Sequence, residues 1–185
     1  MCCFCDFFYS FFDNGTSSTK SVGSQGRSSP GGYAQIEELG PQSVGILDPE
    51  PTTSTNTFIT SLRTWLPKYV DLKNLDVKSD IATHTFVICN NTSRLGSDIN
   101  TALCEINRKH WNKMMVIVLH VKLIKNLPAR ESEKEIREME DYKEIGYIVD
   151  MAYTQDDNIY QCPINADAKE KIEKYLQIEI STMKK

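Results

Sequence analysis

The chain lacks long apolar runs and any excess of basic residues, and both absences exclude classes of protein. No stretch of about 18 consecutive apolar residues occurs, so the sequence predicts no membrane-spanning helix. The 21 lysine and arginine residues are outnumbered by 25 aspartate and glutamate residues, which gives a net charge of -4. Because nucleic-acid-binding proteins usually carry a basic face, this balance argues against that class. The first residues have neither the basic start nor the aliphatic core of a secretory signal.

The motifs of phosphate, dinucleotide and metal sites are missing as well. No GK[ST] follows a glycine-rich loop, no dinucleotide-binding fingerprint occurs, and no CxxC pair has histidines at zinc-binding spacing. Three of the six cysteines, Cys89, Cys104 and Cys162, stand alone in apolar or amphipathic segments, which predicts buried free thiols. We therefore predict a protein of the reducing cytosol that holds no metal and no cofactor.

The N-terminal segment, residues 1–12, reads MCCFCDFFYSFF and is rich in cysteine and aromatic residues. Cysteines beside apolar residues are substrates for S-acylation, and two or more acyl chains anchor a protein stably. Cys2, Cys3 and Cys5 are therefore the predicted lipidation sites, and the interleaved aromatic rings suit a membrane interface. The alternative is an unmodified, adhesive tail. Residues 13–41 are rich in Ser, Gly, Thr and Pro, which predicts a disordered linker.

Residues 42–185 have the periodicity of one α/β domain. Short apolar runs alternate with helical patterns, and KMMVIVLHV is continuous enough for a strand buried on both faces of a parallel sheet. The elements follow the order strand, helix, strand, strand, helix, strand, charged segment, strand, helix. That alternation predicts a compact three-layer fold with a mostly parallel sheet of about five strands, either flavodoxin-like or TIR-like. Ligands of such folds bind beyond the carboxyl ends of the strands.

Several element boundaries follow from single residues. Two prolines and a Thr/Ser/Asn run predict a loop over residues 48–56, and helical spacing predicts a helix over 58–66 that ends before a proline. Residues 69–75 are a predicted edge strand. Ser97 is the predicted cap of the second helix. The charged residues 129–144 predict a solvated helix or a mobile insertion. Asn165 is the predicted start of the last helix, whose predicted apolar face consists of Ala168, Ile172, Tyr175 and Leu176.

The loop after the central strand, residues 90–98, is the first candidate binding site. The predicted ligand-binding residues are Ser93, Arg94, Gly96, Ser97 and Asp98, with Asp150 across the cleft. Backbone N–H groups at the start of a helix can hold an anion, and an arginine can pair with it. The competing interpretation is an ordinary turn in which a serine caps the helix and an acid favours its dipole. Residues 48–56 would form the other lip of this cleft, or a plain connection.

Two acids are weak candidates for catalysis. Asp98 and Glu105 lie seven positions apart, about two turns of one helix, so they are predicted to share a face. A carboxylate at a cleft can act on a glycosidic bond, as in nucleoside-processing and TIR-type folds. Against this, the first acid can serve as a dipole partner and the second as a solvated charge. No serine or cysteine nucleophile is placed by spacing near the three histidines.

Three stretches, SRLGSDINTALCEI, MMVIVLHV and YIVDMAYTQDDNIYQCPINADA, resemble a family of small fish proteins associated with induction by interferon or virus, the reovirus-induced gene one group. The family pattern is SRxGTDIEAAL, then a VVLHHTF-like strand, then VDxxFxEDxGLLxCxxNDxA. The matching residues are Ser93, Arg94, Gly96, Asp98, Ile99, Val118, Leu119, His120, Val149, Asp150, Cys162, Asn165 and Ala168. Asn100 replaces an acid of the pattern and Val121 its second histidine, so chemistry that needs either is missing here. The resemblance covers most of residues 43–180 and implies a role in innate antiviral defence.

These observations together predict a cytosolic interaction protein of the innate antiviral response without demonstrable catalysis. It would be held peripherally at a cellular membrane by N-terminal acylation and would bind a protein partner. The first alternative is a small TIR-like or nucleoside-processing enzyme with its cleft at the carboxyl ends of the strands. The second alternative is a self-associating signalling adaptor.

Overall fold

The computed structural model describes residues 42–76, 81 and 84–183, with side chains described as far as residue 176. The predicted membrane-contact segment, with Cys2, Cys3 and Cys5, and the predicted linker lie outside the described residues. Within the described ranges, no helix is both long enough and apolar enough to cross a membrane.

Five strands and four α-helices make up the described part of the domain, with short 3-10 turns between them. The strands are β1 (Gln42–Leu47), β2 (Val70–Asn74), β3 (Thr85–Asn90), β4 (Met114–Val121) and β5 (Tyr147–Tyr153). The α-helices are α1 (Thr53–Trp65), α2 (Leu95–Leu103), α3 (Ser132–Glu138) and α4 (Pro163–Met183). The 3-10 turns are Arg108–Lys113, Ile124–Asn126 and Glu140–Tyr142.

The five strands form one parallel sheet with the order β2-β1-β3-β4-β5. This confirms the predicted three-layer α/β fold, and the strand order is the flavodoxin-like one. The predicted edge strand near residues 69–75 is β2, which lies at one edge of the sheet. The direction of strand addition reverses between β1 and β3, so this pair marks the switch point of the fold.

Each face of the sheet packs against two helices. On one face α1 and α4 contribute Phe58, Leu62 and Tyr175, and on the other α2 and α3 contribute Ile99 and Ile136, all of which are buried. Strand β4 serves both cores, because its consecutive side chains alternate between the two faces and are buried from Met114 to His120. Each fully buried apolar side chain of this size contributes about 1.5–3 kcal/mol.

Helix α1 begins at Thr53, so the predicted loop over residues 48–56 is too long and the predicted helix start is too late. Thr52 is the N-cap: its Oγ1 accepts the Thr55 N–H at 3.1 Å, and the Thr55 Oγ1 accepts the Thr52 N–H at 2.8 Å. This reciprocal capping box satisfies two N–H groups that the first turn would leave unpaired. The prediction missed it because a threonine here replaces the Glu or Gln that usually completes the box.

Two other segments differ from their predictions. Residues 129–144 contain α3, whose Ser132 and Ile136 are buried, so the segment is not a wholly solvated helix. Helix α4 begins at Pro163 rather than at Asn165, because proline at the first helical position has its φ already set for a helix. The predicted apolar face of α4 is confirmed as buried and consists of Ala168, Ile172, Tyr175 and Leu176.

Candidate functional site

The carboxyl ends of all five strands lie at one edge of the sheet because the strands are parallel. The loop after β1, residues 48–52, and the loop after β3, residues 91–94, flank the switch point there. Open α/β sheets bind their ligands at this position. This carboxyl edge is therefore the candidate site, and the partners of its polar side chains decide which chemistry it can perform.

Two side chains at the carboxyl edge keep an oxygen atom buried without a partner. Oδ2 of Asp48, just after β1, and Oδ1 of Asn90, at the end of β3, have no hydrogen-bond donor among the described residues. Burial raises the pKa of the Asp48 carboxyl group, although hydrogen bonds with the Thr55 side chain and the Glu50 backbone oppose the rise. Because buried polar atoms are normally paired, these two oxygens are the acceptors that the edge leaves unused.

The Asp98 carboxylate occupies the anion-binding position of the loop after β3. Its Oδ2 accepts the backbone N–H groups of Thr92 at 3.1 Å and Ser93 at 2.9 Å, and its Oδ1 accepts the Ser93 hydroxyl at 2.7 Å. These donors could otherwise have held a phosphate. A phosphate placed here would instead meet a like charge at close range, so the loop does not favour an anionic ligand.

The other predicted binding residues of this loop build the first turn of α2. Arg94 occupies the N-cap position of α2, although its side chain makes no capping hydrogen bond, so the predicted cap at Ser97 is wrong. The N–H groups of Ser97 and Asp98 donate to the Arg94 carbonyl oxygen at 2.8 Å and 3.0 Å. Gly96 is half-buried and lies beside the Met139 side chain. The structure thus brings these residues together around the turn, where their backbone groups bond to one another.

A buried histidine–aspartate pair joins β4, β5 and α3. His120 is fully buried, and its Nε2 lies 2.7 Å from Oδ1 of Asp150 on the neighbouring strand. Oδ2 of the same carboxylate accepts the N–H of Ser132, at the start of α3, at 2.9 Å. Because a carboxylate can only accept, the histidine donates through Nε2, and its Nδ1 then accepts from the Asn91 amide at 3.3 Å.

The pair with His120 explains the role of Asp150, which the sequence predicted to lie in the binding cleft. Burial would raise the pKa of this carboxyl group, but hydrogen bonds from His120 and Ser132 outweigh burial and hold the pKa below its ordinary value. The side chain is 11% exposed, and both of its oxygens are occupied. A polar residue within each of two apolar strands was the sequence signal for the pair, since buried polar groups need partners.

The two weak catalytic candidates do not share a helical face. Helix α2 ends at Leu103, so Glu105 lies beyond it and is exposed, whereas Asp98 lies in the first turn. The prediction that one helix carries both acids is therefore wrong. The helix ends early because the chain turns to bury Ile106, whose carbonyl oxygen accepts the Trp111 indole N–H at 3.2 Å.

The three cysteines of the described domain have different environments. Cys89 is buried, and burial, with nearby carboxylates adding to the effect, raises the pKa of its thiol to about 12. A thiol of this kind stays protonated and is a poor nucleophile. Cys104 is exposed and Cys162 is half-buried, so the prediction of buried thiols is right for Cys89 alone.

Asn165 closes the outer edge of β5, a function that sequence reasoning missed. Its Oδ1 accepts the Ala152 N–H at 2.8 Å, and its Nδ2 donates to the carbonyl oxygens of Ala152 at 2.8 Å and Tyr160 at 2.7 Å. The side-chain amide thus pairs with an outward-facing residue of an edge strand as a further strand would. The signal in the sequence was a polar residue among the first residues of a helix that packs against the sheet.

A groove of about 560 Å³ is lined by the end of α1, by residues 159–162 after β5 and by the start of α4. Trp65, Tyr160, Cys162 and Lys169 contribute to its lining. Asn165 also borders the groove, but its amide is already committed to the edge of β5. Among the described residues, no group of three or more His, Cys, Asp or Glu side chains is arranged to hold a metal ion.

The strand order defines the fold class of this protein as a flavodoxin-like α/β domain. No family model, no curated protein and no solved structure matches the chain. The resemblance to the interferon-associated fish family therefore stays a prediction that rests on its own residues.

Proposed function

We propose that this protein is a non-catalytic interaction protein of the innate antiviral response that is tethered to a membrane through its N-terminal cysteines. The observation that carries the proposal is that the polar groups at the carboxyl edge are mostly bonded to the protein itself. Asp98 binds its own loop, and Asp150 binds His120 and the start of α3. General acids and bases instead need to be within reach of a substrate proton.

The residues of the family pattern support the same proposal. Four of its polar members make internal hydrogen bonds that hold a loop, a strand pair or the sheet edge: Asp98, His120, Asp150 and Asn165. Its apolar members are buried in the two cores: Ile99, Val118, Leu119, Val149 and Ala168. Residues with these contacts stabilise the fold, so we infer that function lies in the surface of the domain and in its N-terminal segment.

The membrane tether is tested by fractionation of cells that express the protein. We expect the full chain expressed in cells to fractionate with membranes, and a Cys2→Ser, Cys3→Ser, Cys5→Ser variant to shift to the soluble fraction. The reason is that each buried methylene of an acyl chain contributes about 0.8 kcal/mol, so two or three chains hold a protein stably. Cys104→Ser, at an exposed cysteine of the folded domain, is the matched control and should not move. Equal distributions of the native chain and the triple variant would count against acylation.

A small nucleoside-processing or TIR-like enzyme is the second candidate, and one observation favours it. The buried oxygens of Asp48 and Asn90 at the switch point have no donor among the residues that the structure describes. Acceptors suit a ligand that brings hydroxyl or amino groups, such as the ribose or the base of a nucleoside. They do not suit a phosphate, which the Asp98 carboxylate also disfavours.

Incubation of the full chain with NAD and with common nucleosides, followed by chromatography, separates the two candidates. We expect no product, because neither acid predicted to act on a glycosidic bond is suited to it: Asp98 is bonded to its own loop, and Glu105 is exposed beyond the end of α2. Asp48→Ala tests the unpartnered carboxylate, and Asp71→Ala, at an exposed acid of β2, is its control. Product that forms with the native chain and is lost only in Asp48→Ala would replace the interaction protein by the enzyme.

A further inference from the structure

The segment of residues 121–130, which starts at the last residue of β4, presents a small exposed apolar tip. Val121, Leu123 and Ile124 are 38%, 50% and 58% exposed. Apart from Tyr69, these are the exposed large apolar side chains of the described domain. Single apolar side chains scattered on a surface are ordinary, but three within four consecutive residues form a patch that calls for a partner.

The charges of this segment have one sign. Its sequence, VKLIKNLPAR, contains Lys122, Lys125 and Arg130 and no acid, in a chain whose net charge is -4. Arg130 forms an ion pair with Glu138. Neither lysine has a carboxylate partner within the part of the chain that the structure describes. Two free lysines therefore flank the exposed leucine and isoleucine.

The apolar tip is held in a defined turn. The Tyr160 hydroxyl donates to the Lys122 carbonyl oxygen at 2.6 Å, which fixes the base of the segment. At the tip, the N–H of Asn126 donates to the Leu123 carbonyl oxygen at 2.8 Å, and the N–H of Leu127 donates to the Ile124 carbonyl oxygen at 3.3 Å. A turn that is already ordered loses little conformational entropy when its side chains become buried against a partner.

We infer that this apolar–basic turn docks the folded domain on a membrane surface that contains anionic lipid. Leu123 and Ile124 would enter the boundary between headgroups and acyl chains, while Lys122 and Lys125 would contact the anionic headgroups. Apolar side chains interleaved with lysines are the chemistry that such a surface binds, because apolar burial and attraction to anionic lipid act together. The inference rests on the membrane association proposed above, but it does not depend on acylation.

The test uses the full chain from bacteria with Cys2→Ser, Cys3→Ser and Cys5→Ser, so that no acyl chain contributes. Sedimentation compares vesicles of phosphatidylcholine alone with vesicles that also contain about 30% phosphatidylserine. We expect binding to the anionic vesicles only, weakened by salt. The double variant Leu123→Asn, Ile124→Asn should bind about tenfold more weakly or worse. Lys122→Gln with Lys125→Gln should lose the preference for phosphatidylserine.

Matched controls lie at exposed positions near the opposite edge of the sheet. Tyr69→Asn removes an exposed apolar side chain just before β2, and Lys109→Gln removes an exposed lysine before β4. Neither should change vesicle binding, and circular dichroism should confirm that every variant is folded. Equal binding to both kinds of vesicle, or unchanged binding of both loop variants, would overturn the inference. So would a turn that does not bind vesicles and mediates self-association instead. Each of these outcomes is independent of the cell fractionation, which reports on the cysteine tether.

Discussion

Asp150→Ala is expected to lower the free energy of unfolding by about 3–4 kcal/mol, because it leaves two buried donors without an acceptor at about 1–3 kcal/mol each. The donors are Nε2 of His120, at 2.7 Å, and the N–H of Ser132, at 2.9 Å. Denaturation by urea at neutral pH measures the loss. Asp150→Asn, which keeps one acceptor oxygen, should lose about half as much. Asp71→Ala, at an exposed acid, should stay within about 0.5 kcal/mol of the native chain.

The same pair sets the sign of the pH dependence. The folded pKa of Asp150 lies below its ordinary value, because hydrogen bonds from His120 and Ser132 outweigh the effect of burial. The ionised carboxylate therefore stabilises the fold fully above the unfolded pKa of about 3.9. The stabilisation is lost as pH falls through the pKa of the folded state. The stability difference between the native chain and Asp150→Ala should shrink below about pH 4. A difference that stays constant down to the acid transition would show that the carboxylate is not held ionised by the pair.

The layers of the fold could be predicted because each depends on a local pattern. β4 is a continuous apolar run, and the buried face of α4 repeats at helical spacing, so both were found without knowledge of their neighbours. Right-handed crossovers narrow the possible strand orders, but the order β2-β1-β3-β4-β5 itself comes from the structure.

The polar contacts could not be predicted, since they join residues that are distant in sequence. His120 and Asp150 are 30 positions apart, and the pairing depends on the register between β4 and β5. Residue type alone could not show that Asp98, in the first turn of α2, accepts hydrogen bonds from Thr92 and Ser93 in the preceding loop. The sequence therefore predicted a cleft with free acids, whereas the structure shows an edge whose acids are mostly hydrogen-bonded within the protein.

The hydrogen bonding of the carboxyl edge indicates which of its groups are available to a ligand. A carboxyl edge with most of its polar groups committed offers two unpartnered oxygens, at Asp48 and Asn90, for a neutral ligand. The apolar–basic turn at residues 121–130 lies at the same edge and starts at the last residue of β4. If the turn rests on a bilayer, the loops after the other parallel strands face the same way, because all of the strands end at that edge.

Asn165→Ala should be the second most damaging of these substitutions, at about 2–4 kcal/mol. The side chain satisfies the N–H and the carbonyl oxygen of Ala152 and the carbonyl oxygen of Tyr160, and alanine leaves all three without this partner in a buried place. Urea denaturation measures the loss, and Asn126→Ala, at an exposed asparagine, is the control.

Asn165→Asp separates the donor function of this amide from its acceptor function. The aspartate still accepts the Ala152 N–H, but its second oxygen faces the two carbonyl oxygens that the native amide donates to. That contact raises the folded pKa of the new carboxyl group above the unfolded value of about 3.9, so the folded variant takes up a proton as pH falls. The loss of stability should therefore be larger at pH 7 than at about pH 5, opposite to the trend that Asp150 imposes. If the loss is equal at both values, the amide does not donate to these carbonyl groups, and its contribution comes from the contact with the Ala152 N–H alone.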